Sequence, residues 1–199
     1  DLDMDGQQEV LVGNTIYAPS GDVVCSVQAE DGYPAAADLD GDGQGEFVVV
    51  GSGMVWISEA DCTLTSQWAL LGSGTGGPPT ISDFDADGEP EIGVASSSHY
   101  SVYEVDGTLL WSHGTTDESS HATGSVVFDF EGDGQPEVVY ADEVALWILD
   151  GSTGEPRMSD ESHTSRTLHE FPTVADVDGD GYPEIVVPNG GGHHGAENT

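Results

Sequence analysis

Five short segments of this chain place carboxylates at alternate positions, a spacing suited to holding a metal ion. Each follows the pattern Asp-x-Asp/Glu-x-Asp-Gly-x-x-Glu. We number them loop 1 (1–9), loop 2 (38–46), loop 3 (83–91), loop 4 (129–137) and loop 5 (176–184). Calcium takes about six to eight oxygen ligands, and glycine at position 6 permits the sharp turn of such a loop. The pattern therefore predicts one calcium ion in each loop, or about five ions in all.

Positions 1, 3, 5 and 9 of each loop offer a carboxylate, and position 7 offers its backbone carbonyl. Two unit charges about 4 Å apart repel by ~4 kcal/mol at an effective dielectric constant of ~20, so a cluster of this kind needs a cation. The predicted ligands are Asp1, Asp3, Asp5, Gln7 and Glu9 in loop 1; Asp38, Asp40, Asp42, Gln44 and Glu46 in loop 2; Asp83, Asp85, Asp87, Glu89 and Glu91 in loop 3; Asp129, Glu131, Asp133, Gln135 and Glu137 in loop 4; and Asp176, Asp178, Asp180, Tyr182 and Glu184 in loop 5. In loop 4 the longer side chain of Glu131 replaces the position-3 aspartate, which predicts a weaker site there.

An EF-hand or dockerin loop is the obvious alternative, and it requires an acidic residue at position 12. The residues at that position are instead apolar or aromatic: Val12, Val49, Val94, Tyr140 and Val187. The EF-hand interpretation is therefore excluded. Magnesium fits less well than calcium because it prefers fewer protein ligands and keeps its waters.

The elements that must position these loops are short β-strands. Each loop leads into a β-branched run such as 47–50 or 92–95, and a second run with an aromatic residue follows, such as 55–57. Short apolar runs bounded by glycine and polar turns are typical of strands. About four strands in each period of roughly 46 residues describe one blade of a β-propeller. The fold class predicted is therefore all-β, a propeller of four-stranded antiparallel blades.

The repeat also sets the expected domain organisation. The loop starts are separated by 37, 45, 46 and 47 residues, so the 199-residue chain holds about four blades and part of another. We expect propeller repeats over residues 1–188 and a Gly- and His-rich tail over residues 189–199. A ring of seven blades with about 46 residues each would need roughly 320 residues, which is more than this chain contains. We therefore expect an open ring that the remaining blades of a longer parent protein complete, although a closed four-bladed ring stays possible.

Charge limits the partners of the protein. Asp and Glu number 38 against two basic residues, which gives a formal net charge of −36. Such a surface repels nucleic acid and anionic membrane surfaces, so we expect no nucleic-acid partner. No apolar run approaches the ~20 residues of a membrane span, so no membrane insertion is expected.

The two cysteines, Cys25 and Cys62, match no zinc-binding spacing. They fall at a similar phase in adjacent repeats. In an oxidising compartment they would form a disulfide that ties the third strand of one blade to the next. The alternative is a pair of small buried thiols.

The loops and their flanking strands resemble the FG-GAP/VCBS repeat family, whose best-known members are the integrin α-subunit propellers. The resemblance covers nearly the whole chain and is greater to the secreted bacterial members, because the Phe-Gly and Gly-Ala-Pro signatures are missing. It implies that each calcium lies in a hairpin loop between the first two strands of a blade. It also implies that these loops lie on the face opposite the usual ligand-binding face, in a secreted or cell-surface protein.

Three functional classes remain open. The first is a non-catalytic extracellular module for adhesion or for binding an unknown protein or glycan, with calcium in a structural role. The second is a calcium-dependent polysaccharide lyase-like enzyme, which two arginines and no lysine disfavour because a lyase needs a base near the substrate acid. The third is a structural component of a cell surface or filament. We expect the first class and no enzymatic activity.

Few other residues suggest chemistry. The acids outside the loops that merit inspection are Asp142, Glu143, Glu161 and Glu170. Most histidines fall in predicted loops, and a tryptophan recurs at a similar phase of the repeat, which indicates blade packing. No Gly-x-Ser-x-Gly segment marks a catalytic serine.

Overall fold

The computed structural model describes residues 1–163 and 171–188, which form seventeen strands and no helix. The strands make five antiparallel sheets in chain order. The predicted tail over 189–199, together with Glu170 and three of the seven histidines, lies outside the described residues. None of the described segments is a helix that could cross a membrane.

Three complete four-stranded sheets occupy the middle of the chain, each with its strands in sequence order. The second sheet contains β4 (Tyr33–Ala37), β5 (Glu46–Gly51), β6 (Met54–Ser58) and β7 (Leu64–Ala69). The third contains β8 (Thr80–Ser82), β9 (Glu91–Ala95), β10 (His99–Tyr103) and β11 (Leu109–Gly114). The fourth contains β12 (Ser125–Phe128), β13 (Glu137–Ala141), β14 (Leu146–Asp150) and β15 (Pro156–Asp160).

The first and fifth sheets are smaller. The first sheet contains β1 (Val10–Val12), β2 (Thr15–Tyr17) and β3 (Val23–Ser26), and the fifth contains β16 (Thr173–Ala175) and β17 (Glu184–Val186). The sequence predicted about four blades and part of another. The structure instead has three complete blades and two partial ones. The first sheet is partial because loop 1 leads straight into β1 without a preceding strand in its sheet.

The first strands of successive sheets, β4, β8, β12 and β16, contact one another in that order. This radial stacking of antiparallel sheets is the arrangement of blades in a β-propeller. Among the described residues, β17 pairs only with β16, so no strand pairing closes a four-bladed ring. The part of the propeller described here is open.

The core lies between blades rather than inside one central cluster. Val48 and Val50 of β5 pack against Ile92 and Val94 of the third sheet. Phe47, the neighbour of Val48, faces the opposite way and packs towards the first sheet. Both faces of each inner strand are covered, which is why these strands read as continuous apolar runs. Close packing on both sides holds each strand that leaves a loop in a fixed position.

The disulfide between Cys25 and Cys62 is present, with a Cα–Cα separation of 6.0 Å. It joins β3 of the first sheet to the turn before β7 of the second sheet. Its place matches the expectation that it links neighbouring blades. The two thiols are therefore not the pair of free buried cysteines that remained as the alternative.

Candidate metal centre

The aspartates of each loop hold its backbone in a tight turn through hydrogen bonds. In loop 3 the Asp83 carboxylate accepts hydrogen bonds from the N–H groups of Asp87, at 3.1 Å, and Gly88, at 3.0 Å. Asp85 also accepts a bond from Asp87, and Asp87 accepts one from Glu89. Short acidic side chains bond readily to backbone groups two residues ahead, so the spacing of the aspartates itself dictates this turn. The position-1 aspartate bonds in the same way to the position-6 glycine in all five loops.

Two positions in every loop have left-handed backbone. Position 6 is always glycine, with φ between 87° and 100° across the five loops. Position 4 is also left-handed, although it holds Met4 in loop 1 and Ala86 in loop 3, both with φ near 60°. A side chain with a Cβ adopts this conformation at a cost of about 1 kcal/mol. The sequence pattern signalled only position 6, because position 4 is glycine in just three loops.

The position-9 glutamate ties each loop to the blade. One oxygen, Oε2, accepts a hydrogen bond from the N–H of the position-2 residue in all five loops. In loop 3 the bond from Phe84 to Glu91 is 2.6 Å long. Phe84 is fully buried in the core between the third and fourth blades, so this bond anchors the loop to the packed interior.

The other oxygen of this glutamate is buried without a hydrogen-bond partner in three loops. Within the described part of the chain, Oε1 of Glu46, of Glu91 and of Glu137 accepts no hydrogen bond, although Oε1 of Glu137 has an ion pair with Arg157. Glu91 is 0% exposed and Glu46 is 4% exposed. A buried carboxylate oxygen without a partner is costly, and it is the feature that a bound cation would compensate. The residues present therefore fit a metal ion.

The structure brings most of the predicted carboxylates together. In loop 3, oxygens of Asp83, Asp85, Asp87 and Glu91 all lie within 4.8 Å of one another. The three aspartates meet in the same way in loops 1, 2 and 5, without the position-9 glutamate. In loop 4 the group consists of Asp129, Glu131 and Glu137, without Asp133. The carbonyls at position 7 remain predicted ligands.

Burial and electrostatic repulsion both act on the position-9 carboxylates of loops 2 and 3. Burial, opposed by the hydrogen bond from Phe84 and assisted by repulsion from the carboxylates of Asp85, Glu104 and Asp83, raises the pKa of Glu91 to about 7. Burial and nearby aspartates also raise the pKa of Glu46. A raised carboxyl pKa means that the folded protein resists the negative charge at that point.

Two further acids, Glu59 and Glu104, lie beside loops 2 and 3 and were not predicted. Burial, followed by repulsion from loop aspartates, raises the pKa of each. Each lies thirteen residues after the position-9 glutamate of its loop, as does Asp150 in the fourth blade. That recurring spacing was visible in the sequence. Its meaning depended on strand pairing, which places Asp150 opposite Glu137.

Loop 4 differs from the others because a basic side chain reaches it. Nη1 of Arg157 lies 2.6 Å from Oε1 of Glu137 and 3.1 Å from Oε2 of Glu131. Nη2 donates to Asp150 at 2.9 Å. Although burial opposes ionisation of Asp150, hydrogen bonds from Arg157, Ser152 and Thr153 lower its pKa to about 2. The pKa values of Glu59 and Glu104 are instead raised. Burial still raises the pKa of Glu137 against the lowering effect of Arg157, so the arginine compensates the negative charge of loop 4 only in part.

Two of the other acids singled out in the sequence, Asp142 and Glu143, have structural partners. Asp142 is 2% exposed and accepts bonds from the N–H groups of Thr116, Val144 and Ala145 and from the indole of Trp147. Glu143 accepts a bond from the Ser119 N–H, and Glu161 is exposed.

The predictions for the tryptophans and for the histidines have different outcomes. Trp56 and Trp111 are buried core residues, as the packing interpretation predicted. The expectation that most histidines lie in loops fails for His99 and His113, which belong to β10 and β11. Their neighbouring serine and glycine residues suggested turns, but pairing with adjacent strands extends the sheet through them.

The fold and the site together define a β-propeller whose complete blades carry an acidic loop between their first two strands. A family model described as an FG-GAP-like repeat matches residues 83–140 and 129–187, together more than half of the chain. The chain therefore belongs to the FG-GAP-like repeat family. No curated protein sequence matches it.

Solved structures with similar folds are distant in sequence. The biofilm matrix protein Bap1 of V. cholerae superposes with a TM-score of 0.78 at 17% identity, covering 93% of this chain and 58% of Bap1. An Agrocybe aegerita lectin that recognises non-reducing terminal N-acetylglucosamine gives 0.57 at 15% identity, covering 94% and 59%. BamB from Moraxella catarrhalis gives 0.56 at 14% identity, covering 90% and 57%. The chain thus spans little more than half the length of each of these structures, and the likeness shows the fold alone.

Proposed function

We propose that this chain is a calcium-binding propeller module of a secreted or cell-surface protein, which binds a protein or glycan and catalyses no reaction. Calcium has a structural role in this proposal. The observation that carries it is made at Glu91, whose Oε1 atom is buried and unpartnered among the described residues. A carboxylate oxygen of Glu91 also lies within 4.8 Å of oxygens from three aspartates.

Calcium suits the loops better than other cations. The donors are all oxygens, as a hard cation requires, and they outnumber the few protein ligands that magnesium takes. In loop 3 the ion would be held by Asp83, Asp85, Asp87 and Glu91, with the carbonyl of Glu89 completing the protein ligands. Bound calcium would neutralise the repulsion that raises the pKa of Glu91.

An extracellular location is supported by two features. The disulfide between Cys25 and Cys62 is of the kind that persists in oxidising compartments. Calcium modules with dissociation constants of about 10⁻⁴–10⁻³ M are filled only where free calcium is high, as it is outside cells. The fold likeness to a biofilm matrix protein is compatible with a role in adhesion.

The binding role without catalysis is supported by the acids outside the loops. The Asp142 carboxylate is occupied by four hydrogen bonds that shape the loops between blades, which leaves it unsuited to proton transfer. The propeller surface opposite the acidic loops is the face we propose for the partner. The partner would be a protein or a glycan, and the remaining blades of a longer protein would complete that surface.

The test is a glycan and protein binding array probed with calcium-loaded protein, with chelated protein as the comparison. We expect binding of the partner to require calcium. Glu91→Gln should weaken this binding only to the extent that it destabilises the fold. Release of unsaturated sugar products from acidic polysaccharides would contradict the non-catalytic role. Assembly of the purified chain into filaments would favour the structural class instead. Absence of calcium binding at millimolar calcium would overturn the proposal itself.

A further inference from the structure

The outer strand of each of the first four blades contains a bulge, and the fourth blade has an arginine there. Pairing of β14 with β15 shifts between Ile148 and Leu149, so that Arg157 has no direct opposite residue. The same shift leaves Val24, Thr65 and Leu110 unpaired in β3, β7 and β11. A bulge redirects the side chain of its extra residue. Only in the fourth blade is that side chain charged.

The bulge residue of a blade lies close to its acidic loop. In the second blade, Thr65 lines a cleft together with Asp40, Glu46 and Glu59. In the fourth blade, the guanidinium of Arg157 extends from the same position to Glu131 and Glu137. Its contact with Glu137 is an ion pair of 2.6 Å to Oε1. This oxygen accepts no hydrogen bond in Glu46, Glu91 or Glu137, and among these three it has a basic side chain beside it only in Glu137. The arginine therefore lies against the oxygen that loops 2 and 3 leave without any contact to a basic side chain of the described residues.

Two changes in the fourth blade accompany this contact. The position-3 residue is Glu131, whose longer side chain reaches outward to Arg157. In loops 1, 2, 3 and 5 the position-3 aspartate instead accepts a hydrogen bond from the position-5 N–H. In loop 4 the N–H of Asp133 bonds to Asp129. The position-3 carboxylate has thus left the loop backbone and pairs with the arginine.

Asp150 fixes the arginine in this position. Both Nε and Nη2 of Arg157 donate to Asp150 Oδ2, at 3.3 and 2.9 Å. A guanidinium is a planar donor that cannot be deprotonated in a protein and that pairs well with several carboxylates. Held on three sides, it supplies a permanent positive charge to the loop.

We infer that Arg157 is a built-in replacement for calcium in loop 4, so that this loop excludes the ion while the other acidic loops bind it. The inference rests on the proposed calcium binding and reduces the expected number of ions from five to four. Its consequence is a propeller in which the loop of one blade keeps its folded conformation at any calcium concentration.

The test is the number of calcium ions bound per chain, measured by native mass spectrometry at increasing free calcium. We expect four ions for the wild type and five for Arg157→Gln, which frees Glu131 and Glu137. Arg166→Gln is the matched control, because it removes the same charge at the other basic residue of the chain. It should bind as many ions as the wild type. Five ions on the wild type, or equal numbers on the wild type and Arg157→Gln, would overturn the inference.

A second pair of variants covers the case in which Arg157→Gln does not fold. Glu91→Gln and Glu137→Gln keep an oxygen that can accept the bond from the position-2 N–H. We expect Glu91→Gln to bind one ion fewer than the wild type, and Glu137→Gln to bind the same number. Loss of an ion from Glu137→Gln would show that loop 4 binds calcium and would overturn the inference alone. A wild type that binds no calcium would overturn the proposed function as well.

Discussion

Loops 3 and 4 have nearly the same sequence pattern and backbone, and burial raises the pKa of the position-9 glutamate in both, yet among the described residues only loop 4 has a basic side chain in contact. In loop 3 four carboxylates converge around a point with no basic side chain in contact among the described residues, and the pKa of Glu91 rises to about 7. In loop 4 Arg157 contacts Glu131 and Glu137, and the pKa of Asp150 falls to about 2. The same loop can therefore stand beside a positive charge supplied by the outer strand of its own blade, as in loop 4, or beside none from the described residues, as in loop 3.

The largest expected effect is that of removing calcium, which should destabilise the whole domain. At free calcium about 100 times the dissociation constant, one site adds ~2.7 kcal/mol to the free energy of unfolding. Several sites would rival the ~5–15 kcal/mol of an ordinary domain. We expect chelation to lower the thermal unfolding midpoint by more than about 10 °C, using ~2–4 °C per kcal/mol for a chain of this size.

Two further measurements test this prediction: the effect of salt on the chelated protein, and the segments in which hydrogen exchange increases. High sodium chloride should restore the chelated protein only in part, because screening weakens repulsion without supplying ligand bonds. Below the unfolding midpoint, amide hydrogen exchange should rise over 83–95 on chelation more than over 129–141. A midpoint shift of only a few degrees would mean that the loops do not stabilise the fold.

The second prediction transfers the arginine to another blade. Thr65 occupies the bulge of β7 beside Asp40, Glu46 and Glu59, and it is exposed, so Thr65→Arg needs little repacking. The new guanidinium should pair with these acids and reduce the bound calcium by one ion. The calcium-loaded protein would lose about 2.7 kcal/mol of calcium-dependent stability at 100 times the dissociation constant. Thr65→Gln is the uncharged control. An unchanged number of bound ions in Thr65→Arg would contradict the idea that an arginine at the bulge position replaces calcium.

The third prediction concerns pH and Asp150. Its folded-state pKa is lowered to about 2 from the usual 3.8, so its ionised form contributes stability above pH 3.8 that is lost as the pH falls towards 2. Asp150→Asn should therefore destabilise the protein at neutral pH, with the difference shrinking below pH 3.8. In Arg157→Gln, an NMR titration of the Asp150 carboxyl should give a pKa closer to the usual value. A pKa that stays near 2 in that variant would show that Ser152 and Thr153 suffice.

The smallest expected effect tests whether the two loops share a backbone. Ala86 of loop 3 and Gly132 of loop 4 both occupy position 4, with φ of 62° and 70°. Ala86→Gly should stabilise the protein by up to about 1 kcal/mol, and Gly132→Ala should destabilise it by a similar amount, since a Cβ is disfavoured there. A Cβ at Gly132 would meet no atom within 4 Å, so the cost is conformational. Chemical denaturation measures both, and effects of the same sign would contradict a common backbone.

The sequence alone determined the blades and the loops because both depend on neighbours along the chain. Aspartates two residues apart bond to the backbone just ahead of them, as Asp85 does with Asp87, so the loop forms wherever the pattern occurs. The apolar runs from Phe47 to Val50 and from Ile92 to Ala95 likewise appear as β5 and β9 because strands buried on both faces need such runs. The repeat period was sufficient to predict a propeller of these units.

Only the tertiary structure decided what surrounds each loop. Arg157 lies twenty residues after Glu137 along the chain, and it reaches the loop because β13, β14 and β15 pair side by side. The raised pKa of Glu91 depends on burial between blades, which no single repeat contains. Pairing registers and packing between blades join residues distant in sequence. The carboxylates could therefore be read from the sequence, whereas the charge that balances them could not.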